Sequence, residues 1–269
     1  MACIPSGLLS WSPLLARVML LGLPLVSGCA NPTPAPPFAT VPYQQFSRAA
    51  VVAITMREWK AWGSQVNDDD HLNWDKPERE EGLWQRVGEY WWIGMPSGSP
   101  ESRWTGKHDE YGQVFPADED GKYAWSAAFV SYVMRIAGAG NRFPYSPDHA
   151  YYINIARQMA MGTAQGWLVT AERPEAYAPQ PGDLVCYGRD QAASLRYDNL
   201  PTAEAFPSHC DIVVEAPGHG TISVIGGNVQ DTVTLRHVPV TPDGKLAQPN
   251  GAVVDPLKPW MVVLRVLSS

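Results

Sequence analysis

Beyond Gly166 the chain changes its period, and that change limits the folds open to it. Six short runs rich in Val, Ile and Thr follow: "WLVTA", "GDLVCYG", "HCDIVVEA", "TISVIGG", "TVTLRHVPV" and "WMVVLRVL". The turn sequences "PQPGD", "APGHG" and "TPDGK" punctuate them. Runs of this length and residue type, bounded by Gly and Pro, read as strands. Before Gly166 the spacing is helical. Apolar residues recur from about Gln44 to Trp62 (Phe46, Ala49, Ala50, Ala53, Ile54), and "LWQRVGEYWWIG" (83–94) carries an aromatic stripe. Residues 125, 128, 129, 132, 133 and 136 fall on one helix face, with Gly138 as the stop. "SPDHAYYINIARQMAMG" opens a further helix, with Ser146 as N-cap and Pro147 in the first turn. Helices first and an antiparallel meander after them predict an α+β fold, N-terminal helices packed on an antiparallel β-sheet.

The N-terminal segment has a different character. "ARVMLLGLPLVSGCA" places one basic residue, Arg17, before an apolar run that ends in small residues, so residues 1–28 read as a signal peptide rather than a membrane span. "VSGC" resembles a lipobox, which makes Cys29 the expected lipidation site. Residues 29–43 are then a lipidated N-terminus with a proline-rich spacer, and 44–269 the folded domain. The expected location is the bacterial envelope, at the periplasmic face of the outer membrane, with the membrane met through the lipid alone. A net charge of −7 argues against a nucleic-acid partner. Of the remaining cysteines, Cys186 and Cys210 either pair or stay as buried thiols, and neither has a second cysteine at metal-ligand spacing. The acids of "GSQVNDDDHLNWDKPEREEG" (63–82) read as a solvated loop, without the order of ligands that a calcium loop needs. No metal and no cofactor is expected.

Three β-region features carry chemistry. "PGDLV" (181–185) is a turn entering a strand, "SHCDIVV" (208–214) puts His209 at a strand start, and "GGNVQDTV" (226–233) puts Asn228 just after a strand. Hairpin-linked strands bring a start and an end together, so Asn228 is expected to orient the His209 imidazole. A helix beginning at "YAWSAAFVSY" (123–132) would set Ser126 opposite them as nucleophile. Serine is also a favoured N-cap, which is the plainer reading of Ser126. Asp211 shares a strand face with His209 and either tunes it or lies on the wet face of the sheet. His149, in a first helical turn, and Trp125, beside Ser126, are candidates to line a substrate groove, with structural roles as the alternative.

Taken together, "YAWSAAFVSYVMRIAG", "FPYSPDHAYYI" and "SHCDIVV" resemble bacterial domain-of-unknown-function family 2272, over roughly residues 45–266. More distantly, the order of motifs resembles papain-like cell-wall hydrolases of the NlpC and CHAP types. That resemblance implies a papain-like fold with Ser126 as nucleophile, His209 as base and Asn228 as third residue; Trp125, Asp211 and His149 are the expected substrate-binding set. It also implies hydrolysis of an amide or ester, a peptidoglycan peptide first. Those hydrolases carry cysteine where this chain has Ser126. A thiol is readily ionised at a helix N-terminus, whereas a serine must lose its proton to a base during attack. The alternative is an inactive papain-like module that binds a cell-wall glycan, a peptide or an envelope protein partner.

Overall fold

The computed structural model describes residues 41–42, 45–70 and 75–267. The expected signal segment, Cys29 and all but residues 41–42 of the spacer lie outside them. Each expected helix is present: α1 (Arg48–Ala61), α2 (Leu83–Gly94), α3 (Ser126–Ile136) and α4 (His149–Ala160). Ser47 caps α1, its hydroxyl accepting from Ala50 N at 3.1 Å. Helix α4 starts later than Ser146 predicts. Asp148 is its N-cap, accepting from Ala150 N at 2.9 Å, because the Ser146 hydroxyl is already engaged with the amide of Asp148.

The six apolar runs form β2 (Val169–Glu172), β3 (Leu184–Gly188), β4 (Ser208–Gly218), β5 (Thr221–Val229), β6 (Thr232–Pro239) and β7 (Trp260–Val266). A two-residue strand, β1 (Gln65–Val66), joins them. The order across the sheet is β1-β6-β5-β4-β3-β7-β2. Two corrections to the sequence reading follow. The sheet is mixed, since β1 runs parallel to β6, and the meander is broken, since β7 enters between β3 and β2.

The sheet is covered on both faces, which explains why its strands read as nearly continuous apolar runs rather than alternating ones. On the helix side, Leu184, Cys186, Cys210, Ile212 and Ile225 pack with α3 and α4. On the far side, Val185, Val213, Ile222, Val224, Trp260 and Val263 pack under Val240 and Leu246, which come from the turn-rich segment between β6 and β7. Cys186 and Cys210 are directly opposed on β3 and β4 and form a disulfide, settling the choice that the sequence left open. Helix α3 is buried along its length from Ser126 to Met134. It lies so close to β5 that a side chain at Gly227 would meet Phe129 Cβ at 2.5 Å. That packing fixes where the start of α3 faces.

Candidate active site

Ser126 is the first residue of α3, and the N-cap position belongs to Trp125, which makes no side-chain cap. Capping therefore does not account for this serine. Its Oγ lies 2.6 Å from Nε2 of His149, the first residue of α4. On the other side of that ring, Nδ1 contacts the hydroxyl of Tyr152, one turn further along α4. Three-residue spacing places the two side chains on one helix face. The three groups make a chain from hydroxyl to imidazole to phenol, each less than a tenth exposed.

His209 stands next to this chain without entering it. Its ring lies 5.3 Å from that of His149, centroid to centroid, and its Nε2 pairs with Asp211 Oδ1 at 2.8 Å. The expected Ser126–His209 hydrogen bond is replaced by Ser126–His149. Strand alternation supplies the reason: His209, Asp211 and Val213 point to one face of β4, and Val213 belongs to the far-side core, whereas Cys210 and Ile212 point toward the helices. Gly226 makes room for the His209–Asp211 pair, since a Cβ there would fall 2.0 Å from Asp211 Oδ1 and 2.8 Å from His209 Nε2.

Asn228 is the next-to-last residue of β5 rather than a residue just after the strand, and its side chain also lies elsewhere than expected. Continued alternation from Gly226 would aim it at His209, but its backbone is left-handed (φ 55°) and the β5–β6 register shifts between Gly226 and Val229. With its amide oriented to suit both neighbours, Oδ1 accepts from Trp125 N at 3.1 Å and Nδ2 donates to Asp231 Oδ1 at 3.3 Å. Asn228 thus ties the β5–β6 turn to the residue before Ser126. Trp125, a candidate groove residue from the sequence, is 0% exposed and has no surface to offer a ligand. It stacks on Trp62 at 5.2 Å, and its Nε1 donates to Glu78 at 2.5 Å.

Two open depressions meet at this cluster. Ser126 and His149 line one of about 430 Å³; His209, Tyr187 and Asn228 line another of about 560 Å³. Gly121, Ala124, Arg189 and Asp190 line both and form the ridge between them. Burial holds the His149 imidazole well below its ordinary basicity, and the nearby His209 and Arg189 press it lower still. It is neutral at pH 7. The first helical hydrogen bond of α3 runs from Phe129 N to Trp125 O, so the amides of Ser126, Ala127 and Ala128 lie ahead of it, where a developing oxyanion is best stabilised.

The sequence reading missed three residues at this site: Tyr152, Arg189 and Glu78. The His149–Tyr152 spacing was a usable signal. Glu78 sits in the stretch read as solvated, yet it is 3% exposed, and burial with the nearby Asp231 raises its pKa to about 8. Glu78, Asp120 and Asp231 offer carboxylate oxygens within 4.8 Å of one another, a spacing suited to a cation. Lys76 Nζ already lies 2.8 Å from Asp120 and 3.2 Å from Asp231, so an ammonium supplies the positive charge there.

The site is thus a buried serine–histidine–tyrosine chain at a helix start, flanked by a histidine–aspartate pair on an α+β scaffold. The family is shown directly: the model described as "Uncharacterized protein conserved in bacteria (DUF2272)" matches residues 78–266, more than half of the chain, and the chain belongs to that family. No curated protein and no solved structure compared with the chain matches it. No described helix is long and apolar enough to cross a membrane.

Proposed function

We propose that this chain is a papain-like envelope hydrolase that cleaves an amide or ester through Ser126, with a peptidoglycan peptide as first substrate class. The observation that carries the reading is the 2.6 Å hydrogen bond between Ser126 Oγ and His149 Nε2 at the first turn of α3. In the tautomer with hydrogen on Nδ1, His149 donates to the Tyr152 hydroxyl and accepts the serine proton at Nε2. Ser126 Oγ then attacks the carbonyl carbon, the proton passes to His149, and the first amides of α3 receive the oxyanion. Return of that proton to the leaving nitrogen or oxygen breaks the scissile bond, and water releases the acyl group by the same steps. His209 donates through Nε2 to Asp211 in this reading, with its ring 5.3 Å from that of the base. Lipidation at Cys29 would keep the domain at the periplasmic face of the outer membrane, an oxidising setting that suits the Cys186–Cys210 disulfide.

The test is covalent labelling with a fluorophosphonate probe. Ser126→Ala should abolish it. His149→Ala should slow it by about 10²–10⁴, the usual contribution of a positioned base, and His209→Ala by less. Equal labelling of wild type and His149→Ala would remove His149 as the base. Labelling should also stay flat as the pH falls from 8 through the ordinary histidine value of 6.5, because burial holds His149 well below it. A rate that falls off near the ordinary histidine value of 6.5 would place control with a different imidazole.

The same two contacts also fit a second reading, a silent binding module. In the other tautomer Tyr152 donates to His149 Nδ1, and Nε2–H donates to Ser126, so the imidazole cannot take the serine proton. Retained glycan or peptide binding in a protein that never labels would establish that form.

A further inference from the structure

We propose that Arg189 is the carboxylate-recognition residue of this cleft, so that the ligand crossing the ridge carries a single carboxylate beside the bond facing Ser126. The inference deepens the hydrolase reading and rests on it for the identity of that bond. Arg189 is exposed on the ridge shared by the two depressions. Among the described residues, no hydrogen bond or ion pair engages its guanidinium. The other cations of these walls are already committed: Lys76 to Asp120 and Asp231, and Lys258 to Asp70 at 2.7 Å. Arg189 is therefore the cation left for a ligand, in a chain whose net charge of −7 otherwise repels anions.

The chemistry of the group narrows the ligand. A guanidinium presents a planar fork of donors that fits a carboxylate in two parallel hydrogen bonds. Asp190, on the same ridge, and Asp148 in the Ser126 depression both put negative charge nearby. They disfavour a dianion such as phosphate more than a monoanion. Position links the ridge to the reaction, because the charge of Arg189 reaches the imidazole that holds Ser126. A carboxylate seated on Arg189 would neutralise the smallest of the three influences on His149, leaving burial to keep the ring neutral.

The experiment titrates the full chain carrying Ser126→Ala with acetyl-Ala-Ala, and separately with its C-terminal amide, by amide chemical-shift perturbation. The acid is expected to bind about tenfold tighter than the amide, as one charge-assisted hydrogen-bonded contact would give. Arg189→Gln should bring the two within about twofold by weakening the acid alone, and Arg189→Lys should fall between. Equal binding of acid and amide, binding of neither, or an equal loss of both in Arg189→Gln would overturn the proposal. So would tighter binding of inorganic phosphate than of the peptide acid. Fluorophosphonate labelling reports on the nucleophile separately, so a failure there is not confused with a failure here.

Discussion

Asp183→Ala is expected to lower the unfolding free energy by about 3–5 kcal/mol, the cost of stranding the partners of a buried ion pair. Against a total of about 5–15 kcal/mol for a typical domain, that is a large fraction. Asp183 is 0% exposed and gathers four donors from three parts of the chain. Arg48 Nη1, from the first residue of α1, lies 2.6 Å from Oδ1, and Val266 N, from the last residue of β7, donates to the same oxygen at 2.8 Å. The Tyr177 hydroxyl and Gln180 N donate to Oδ2 at 3.0 and 2.9 Å. Arg48 also donates to the carbonyls of Pro181 and Val266. Removing the carboxylate leaves a half-buried guanidinium without its counter-ion and a buried strand amide without its acceptor. Urea unfolding should show a lower midpoint with an unchanged slope, since the surface exposed on unfolding is the same. A shift under about 1 kcal/mol would mean that Arg48 and the strand end find other partners. The "PGDLV" motif is thereby explained as a staple between the first helix and the last strand.

Glu78→Gln is expected to remove a pH dependence of stability worth a few kcal/mol. The folded pKa of Glu78 is raised from 4.5 to about 8, chiefly by burial and then by Asp231. Below pH 4.5 both the folded and the unfolded states hold the proton, and the group costs nothing. Between 4.5 and about 8 the unfolded state gives up its proton while the folded state keeps it, so stability falls as pH rises, by about 1.4 kcal/mol per unit. Above that window both states are ionised and the penalty is constant. Glutamine imitates the protonated acid and still accepts from Trp125 Nε1, so the variant should gain on wild type from pH 5 to pH 8. Urea midpoints of both proteins at the two pH values measure the difference, and parallel curves would clear Glu78 of the effect. Because Trp125 precedes Ser126, this buried acid also helps hold the start of α3 in place.

Much of the fold was legible in local pattern. Four helices and six strands follow from spacing and turn residues, because periods of 3.6 and 2 are imposed by the backbone of each element alone. Strand β1 was not legible. Gln65 and Val66 are both exposed and carry no apolar alternation, and their pairing with β6 makes them a strand. Ser146 and Asp148 compete for one cap with equal propensity, and the hydrogen bonds of the folded turn settle it.

The site divides along the same line. Local pattern alone established that Ser126 opens a helix, that His149 lies in the first turn of the next, that His209 and Asp211 share a strand face, and that Asn228 lies near the end of a strand. Those are statements about neighbours in the chain. Which imidazole reaches Ser126 depends on residues 23 apart for His149, brought together by the packing of α3 and α4. Only the tertiary structure could choose His149, because it sets the helices against the Cys210–Ile212 face of β4 while His209 and Asp211 point with Val213 to the other. Only it could turn Asn228 aside, because one left-handed backbone angle redirects a side chain that alternation would have sent to the histidine.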